Sequence, residues 1–204
     1  LNRLETLKGC PEYIVGDFDC SYNNLVNLEY GPKIVGNIYC NKNKLTSLLG
    51  SPEVINGEFN CCANQLKTLE GCTKKINATF YCDYNFLTSL NGCPEFVGEG
   101  FSCSFNKLIS LKDAPEIING TFDCSDNQLK SLEEGPKIIE GNLICNKNKL
   151  TSLKGSPDKL KNFDCSNNEL TSLEGGPKIV NGDFFCQYNN LESLKGCPEI
   201  IDKS

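Results

Sequence analysis

Apolar positions along the chain recur neither every second residue nor every 3.6, but in blocks of 20 or 21 residues. Nine cysteines mark the blocks: Cys20, Cys40, Cys61, Cys82, Cys103, Cys124, Cys145, Cys165 and Cys186, with steps of 21 except the two steps of 20 that end at Cys40 and Cys165. Two residues before each Cys stands Phe, Ile or Leu, and leucines follow it at plus five and plus eight, from Leu25 and Leu28 to Leu191 and Leu194. Alternation across each F-x-C segment puts Phe and Cys on one face and the residue between them on the other, which predicts a strand of about three to five residues per block. The segment that returns to the next strand, usually x-G-x-P-x-(I/V)-(I/V), is punctuated by Gly and Pro and predicts extended or short 3₁₀ structure. No block holds the stretch of about 10–12 residues that an amphipathic helix needs.

Three residues after every Cys is an Asn: Asn23, Asn43, Asn64, Asn85, Asn106, Asn127, Asn148, Asn168 and Asn189. The complete unit, (F/I/L)-x-C-x-x-N-x-L-x-x-L, resembles the L-x-x-L-x-L-x-x-N-x-L segment of leucine-rich repeats, with Cys in the third apolar slot. Its short, cysteine-bearing form resembles repeats found in bacterial and tailed-phage proteins. The resemblance implies an all-β repeat solenoid: a curved, right-handed leucine-rich-repeat coil with one parallel sheet of about nine short strands and a helix-poor convex side. Residues 1–204 read as a single domain of about nine full repeats with partial repeats at the ends. The Asn column is expected to be structural, its carboxamides satisfying buried backbone groups of neighbouring coils.

The two short repeats carry a further expectation. In them the first apolar residue keeps the family spacing (Val35 to Ile38 and Leu160 to Phe163), whereas elsewhere it lies one residue earlier, as in Ile55 to Phe59. Gly16, Gly57, Gly120, Gly141 and Gly182 fall in the extra slot. They predict a glycine bulge with positive φ entering each strand, except in the two short repeats.

Composition narrows the function. With 20 basic against 26 acidic side chains the net charge is −6, the wrong sign for a nucleic-acid or anionic-membrane partner. No apolar run approaches the roughly 20 residues of a membrane span, and no leader peptide is evident. There is no His, the commonest general base and metal ligand, and no acidic cluster with EF-hand spacing. The expectation is a protein that is not an enzyme and has no cofactor, metal or catalytic residue. Fourteen cysteines would suit a disulfide framework, but the periodic nine occupy Leu slots and read as reduced core residues. Cys72 and Cys93, neighbours in a second column, remain open as a pair, and Cys62 is expected to be the most exposed thiol. This favours a reducing compartment, the cytoplasm of a bacterium or of an infected host cell, with a virion as the other setting. The sequons at Asn77 and Asn119 are what so many Asn residues give by accident.

Function is therefore sought on the residues forced outward from the sheet. The candidates are Tyr39, Tyr81, Tyr84, Phe105, Phe185 and Tyr188 with the acids Asp19, Asp83, Asp123, Asp126 and Asp164. Rigidly held aromatics suit a protein-binding surface, and the acidic surround suits a basic protein partner. Tyr81, Tyr84 and Phe105 are expected to form its centre. The alternative is a structural or assembly protein, such as a virion decoration or a filament subunit, that self-associates through terminal repeats opening at Leu4 and closing at Ile200 and Ile201.

Overall fold

The computed structural model describes residues 2–202. It is a parallel β-solenoid of nine coils with no helix among the described residues. The F-x-C segments form one nine-stranded parallel sheet in sequence order: Phe18–Asp19, Ile38–Tyr39, Phe59–Asn60, Phe80–Tyr81, Phe101–Ser102, Phe122–Asp123, Leu143–Ile144, Phe163–Asp164 and Phe184–Phe185. Register is strict, each Phe-slot residue opposing its equivalent one coil away, as in Phe80↔Phe101 and Tyr81↔Ser102.

A second set of ladders was not foreseen. Two-residue strands in the return segments hydrogen-bond to one another as Ile34–Val35, Val54–Ile55, Lys75–Ile76 and Phe96–Val97, then Ile117–Ile118 with Ile138–Ile139, then Lys159–Leu160, Ile179–Val180 and Ile200–Ile201. Each coil is thus a corner between two short strands. In these pairs the first residue is mostly exposed and the second buried, except at Ile200–Ile201, where both are exposed.

That corner corrects the expected glycine bulge. The inserted residue lies between two different ladders, as Asn56-Gly57-Glu58 between Ile55 and Phe59, and disturbs the register of neither. None of Gly16, Gly57, Gly120, Gly141 and Gly182 has a positive φ. Positive φ falls instead in two other columns: two residues after each Cys, and two after the second Leu, where Gly71 (φ 86°) closes a turn with Cys72 N–H donating to Leu69 O at 3.0 Å. The corner glycines answer to crowding. A Cβ on Gly57 or Gly182 would overlap the carboxamide of Asn37 or Asn162, and one on Gly141 would lie 2.6 Å from the Gly120 backbone.

The core lies between the ladders. In the Cys61 coil Ile55, Phe59, Cys61, Leu66 and Leu69 are all buried, and the same columns are buried through the middle of the stack. Each large side chain so buried contributes about 1.5–3 kcal/mol. The Phe column stacks along the axis, with ring centroids 5.4 Å apart at Phe59–Phe80 and 5.5 Å at Phe80–Phe101 and Phe101–Phe122. No coil could hold these residues dry without its neighbours.

Asn carboxamides tie the coils together. Asn85 Oδ1 accepts from Leu66 N–H of the preceding coil at 3.0 Å, and its Nδ2 donates to Cys82 O of its own coil and Cys61 O of the preceding one at 3.1 and 3.2 Å. From Asn43 to Asn189 every Asn of the column makes this three-way set; Asn23 accepts from Leu4 N–H and donates within its own coil. All fourteen cysteines are free, and thiols such as Cys82 Sγ donate to the next strand's carbonyl, Ser102 O at 3.3 Å. Burial raises the pKa of the core thiols, Cys20 to about 12 and Cys103 well above the ordinary value.

Candidate functional site: the outward sheet face

The residue two places after each Cys is left-handed in all nine coils, φ 51–57°, although it is Tyr22, Lys42, Ala63, Tyr84, Phe105, Asp126, Lys147, Asn167 and Tyr188 and never Gly. Such a backbone costs an L-residue roughly 1–2 kcal/mol. The turn is held from both sides. The Asn that follows donates to the carbonyls before it, as Asn106 Nδ2 to Cys103 O and Ser104 O at 3.1 and 3.0 Å. Where Asp precedes the Cys it caps the turn from the other side: Asp19 Oδ1 accepts Ser21 N–H at 2.9 Å and its hydroxyl at 2.6 Å, Asp123 does the same for Ser125, and Asp164 accepts Ser166 N–H at 2.9 Å. These are Asx turns, and D-C-S is their sequence signal.

The Cys103 coil reads Ser-Cys-Ser and lacks its own cap. Asp83, from the coil before, supplies it, accepting Ser104 N–H at 2.8 Å, the Ser104 hydroxyl at 2.7 Å and the Ser102 hydroxyl. Asp83 also accepts the Cys62 thiol at 3.3 Å. This corrects two expectations. Asp83 is a buried link between coils, not an open surface acid, and Cys62 is half-buried with its pKa raised by burial and by Asp83.

Because the left-handed turns repeat at the coil spacing, their side chains form a ridge on which consecutive rings can stack. Tyr84 and Phe105 do so, centroids 4.3 Å apart and planes 10° from parallel, while staying 56% and 39% exposed. Lys147 Nζ lies 5.8 Å from the Phe105 ring and 3.5 Å from Asp126. Further along the ridge Lys42 Nζ sits 4.5 Å over Tyr22 and donates to its hydroxyl at 2.6 Å. Tyr81, expected to join Tyr84 and Phe105, stands on the strand before the turn. It lines a cleft of about 410 Å³ with Thr79, Glu99, Ser102, Thr121 and Asp123, opened where Gly100 stands between Thr79 and Thr121. Phe185 and Tyr188 are exposed in the last sheet coil, four coils or more from the Tyr84–Phe105 pair.

The face is electronegative. Tyr39 and Tyr81 have hydroxyl pKa values raised by partial burial and then by Glu58, with Asp17 and Asp19 adding at Tyr39 and Asp83 at Tyr81. Glu58 is itself raised by burial and by Asp17 and Glu99. Asp123 is raised by burial despite the opposing Ser125 hydrogen bonds, whereas the Ser21 hydrogen bonds lower Asp19. Asp126 and Asp164 are half-buried on the same face.

Phe86 escaped the sequence reading. It is 45% exposed just beyond the ridge, with Lys107 Nζ 5.0 Å from its ring. The signal was available: every other coil carries a polar residue between the Asn and the Leu, from Asn24 and Lys44 to Glu169 and Asn190.

Parallel coils, a corner of two ladders and an Asn-x-Leu turn define a solenoid of the leucine-rich-repeat type. Among solved structures the chain is similar to YopM from Yersinia enterocolitica WA-314, with a TM-score of 0.61 and 21% identity over 86% of this chain. The likeness spans 42% of that protein's length. No family model matches the sequence, and no curated protein matches it significantly.

Proposed function

We propose that the chain is a non-enzymatic scaffold that binds a basic protein partner through the outward sheet face, centred on Tyr84 and Phe105. The observation that carries this reading is their exposed parallel stack on a turn whose geometry is fixed by Asn85 and Asn106. Rings already immobilised lose little entropy on binding, and the acids around them draw a cationic partner while resisting an anionic one. Phe86 with Lys107 extends the apolar area, Asp123 and Asp126 flank it in the next coil, and Asp164 continues the acidic face two coils further on. The Cys column, free and mostly buried, with Cys40, Cys61, Cys82 and Cys145 donating to neighbouring carbonyls, suits a reducing compartment, and the repeat resembles the short cysteine-bearing kind of bacterial and tailed-phage proteins.

The test is selection of displayed random peptides on the immobilised chain, followed by affinity measurement on a Tyr84→Ala/Phe105→Ala variant whose circular dichroism matches the parent. Selected peptides rich in Lys and Arg, bound at least tenfold more weakly by the variant, are the expected result. Peptides that bind both forms equally overturn the assignment.

A further inference from the structure

In the column three residues before each Cys, Thr79 and Thr121 flank Gly100, and the missing side chain leaves the cleft described above. The glycine is not there for its backbone: its φ is not positive, and a Cβ would stand 3.2 Å from Thr121 O and 3.3 Å from Thr79 Cγ2, tight but with room to adjust. Unlike Gly98, whose Cβ would overlap the Asn77 backbone, Gly100 could carry a side chain. What its absence provides is space.

The walls of that space have one chemical character. Tyr81 offers a half-buried ring, Glu99 a carboxylate whose Oε2 accepts from Thr79 Oγ1 at 3.3 Å, and Asp123 a second carboxylate held by Ser125 through Oδ1. Ser102 lies on the strand between them, its hydroxyl turned to Asp83. No Lys or Arg lines the cleft. Two carboxylates beside an aromatic face, with no resident cation, match a planar guanidinium, which stacks on rings and donates to two acceptors at once.

We propose that the Gly100 cleft receives an arginine side chain of the bound protein, and so sets specificity on the sheet face. This rests on the reading of that face as a protein-binding surface. The probe is the blocked tripeptide acetyl-Gly-Arg-Gly-amide, with Lys and Glu versions as comparisons, titrated into the full chain and followed by amide chemical shifts. The expected result is a set of shifts centred on Gly100, Ser102, Thr121 and Asp123, larger for Arg than Lys and absent for Glu. Gly100→Thr, which matches the two flanking coils and fills the space, is expected to weaken binding at least fivefold, as is Asp123→Asn, which keeps an acceptor for Ser125 but removes the charge. Shifts spread evenly over every acidic position, or unchanged by both substitutions, overturn the proposal. Selected peptides that need Tyr84 and Phe105 but tolerate Gly100→Thr sink the cleft alone, whereas peptides indifferent to all three positions sink the underlying reading.

Discussion

The carboxamide of Asn37 stands in for a backbone residue: its Oδ1 accepts the Glu58 N–H at 2.6 Å. Asn162 and Asp183 repeat the relationship at 2.7 Å. Both asparagines lie in the two coils whose corner is one residue short, and both donate back to the coil before, Asn37 to Asp17 Oδ1 at 2.8 Å and Asn162 to Asn142 Oδ1 at 2.7 Å. The next coil has one more residue in its corner, and the Asn side chain pairs its additional amide. Asn162→Ala is expected to cost about 1–3 kcal/mol by urea unfolding, the range for an amide stripped of its partner. A change within error would mean that the amide finds water at no cost.

Crowding rather than φ as the reason for the corner glycines makes a contrast measurable within one column of the chain. Gly16 has nothing within 4 Å of an added Cβ, whereas a Cβ on Gly182 would overlap the Asn162 carboxamide. Gly16→Ala is expected to be neutral or to stabilise by a few tenths up to about 1 kcal/mol through the unfolded chain. Gly182→Ala is expected to destabilise by about 1–3 kcal/mol. Equal losses at both would restore the bulge.

Among the Asn residues, Asn106 is the most central test of coil-to-coil bonding. Its removal leaves Leu87 N–H unpaired in the core and takes one of two carboxamide donors from each of Cys82 O and Cys103 O, which keep Asn85 and Asn127. Asn106→Ala is therefore expected to cost about 1–3 kcal/mol in denaturant unfolding, the range for one orphaned buried amide. A loss below 1 kcal/mol would show that the neighbouring coils close without it.

The buried thiols set an alkaline limit. Burial holds the folded pKa of Cys103, Cys82 and Cys145 well above the ordinary thiol value of 9.0. The folded chain thus keeps protons that the unfolded chain releases, so stability is complete below about pH 8.5 and falls as pH rises further. Each such thiol adds a slope of about 1.4 kcal/mol per pH unit once the unfolded form is ionised. Under reducing conditions the melting temperature should fall between pH 8.5 and 10.5, less steeply in Cys103→Ala. Identical slopes would assign the effect to other groups.

Repetition made the scaffold legible in the sequence, since a column of nine Asn or Leu residues has no other explanation than stacked coils. What it hid follows a physical pattern. The second set of ladders is written in two-residue segments, mostly Ile and Val, that read equally well as an extended return. The left-handed turn bears Tyr, Lys, Ala, Phe, Asp and Asn, so no residue type advertises it; its cause is the hydrogen bonding of the following Asn. Asp83 looked like any surface acid because its burial depends on Ser104, a partner 21 residues away. The same separation is why Tyr84 and Phe105 could be placed on neighbouring coils from spacing alone, while Tyr81, on the other side of the turn, could not be separated from them.

Hydrogen–deuterium exchange of the full chain with and without its tightest selected peptide tests the central claim most directly. Protection at residues 81–84 and 102–106, with none at the return-segment pairs Phe96–Val97 and Ile117–Ile118, is the expected result. Protection confined to those return-segment pairs, with the Tyr84–Phe105 turns exchanging as in the free chain, would contradict it.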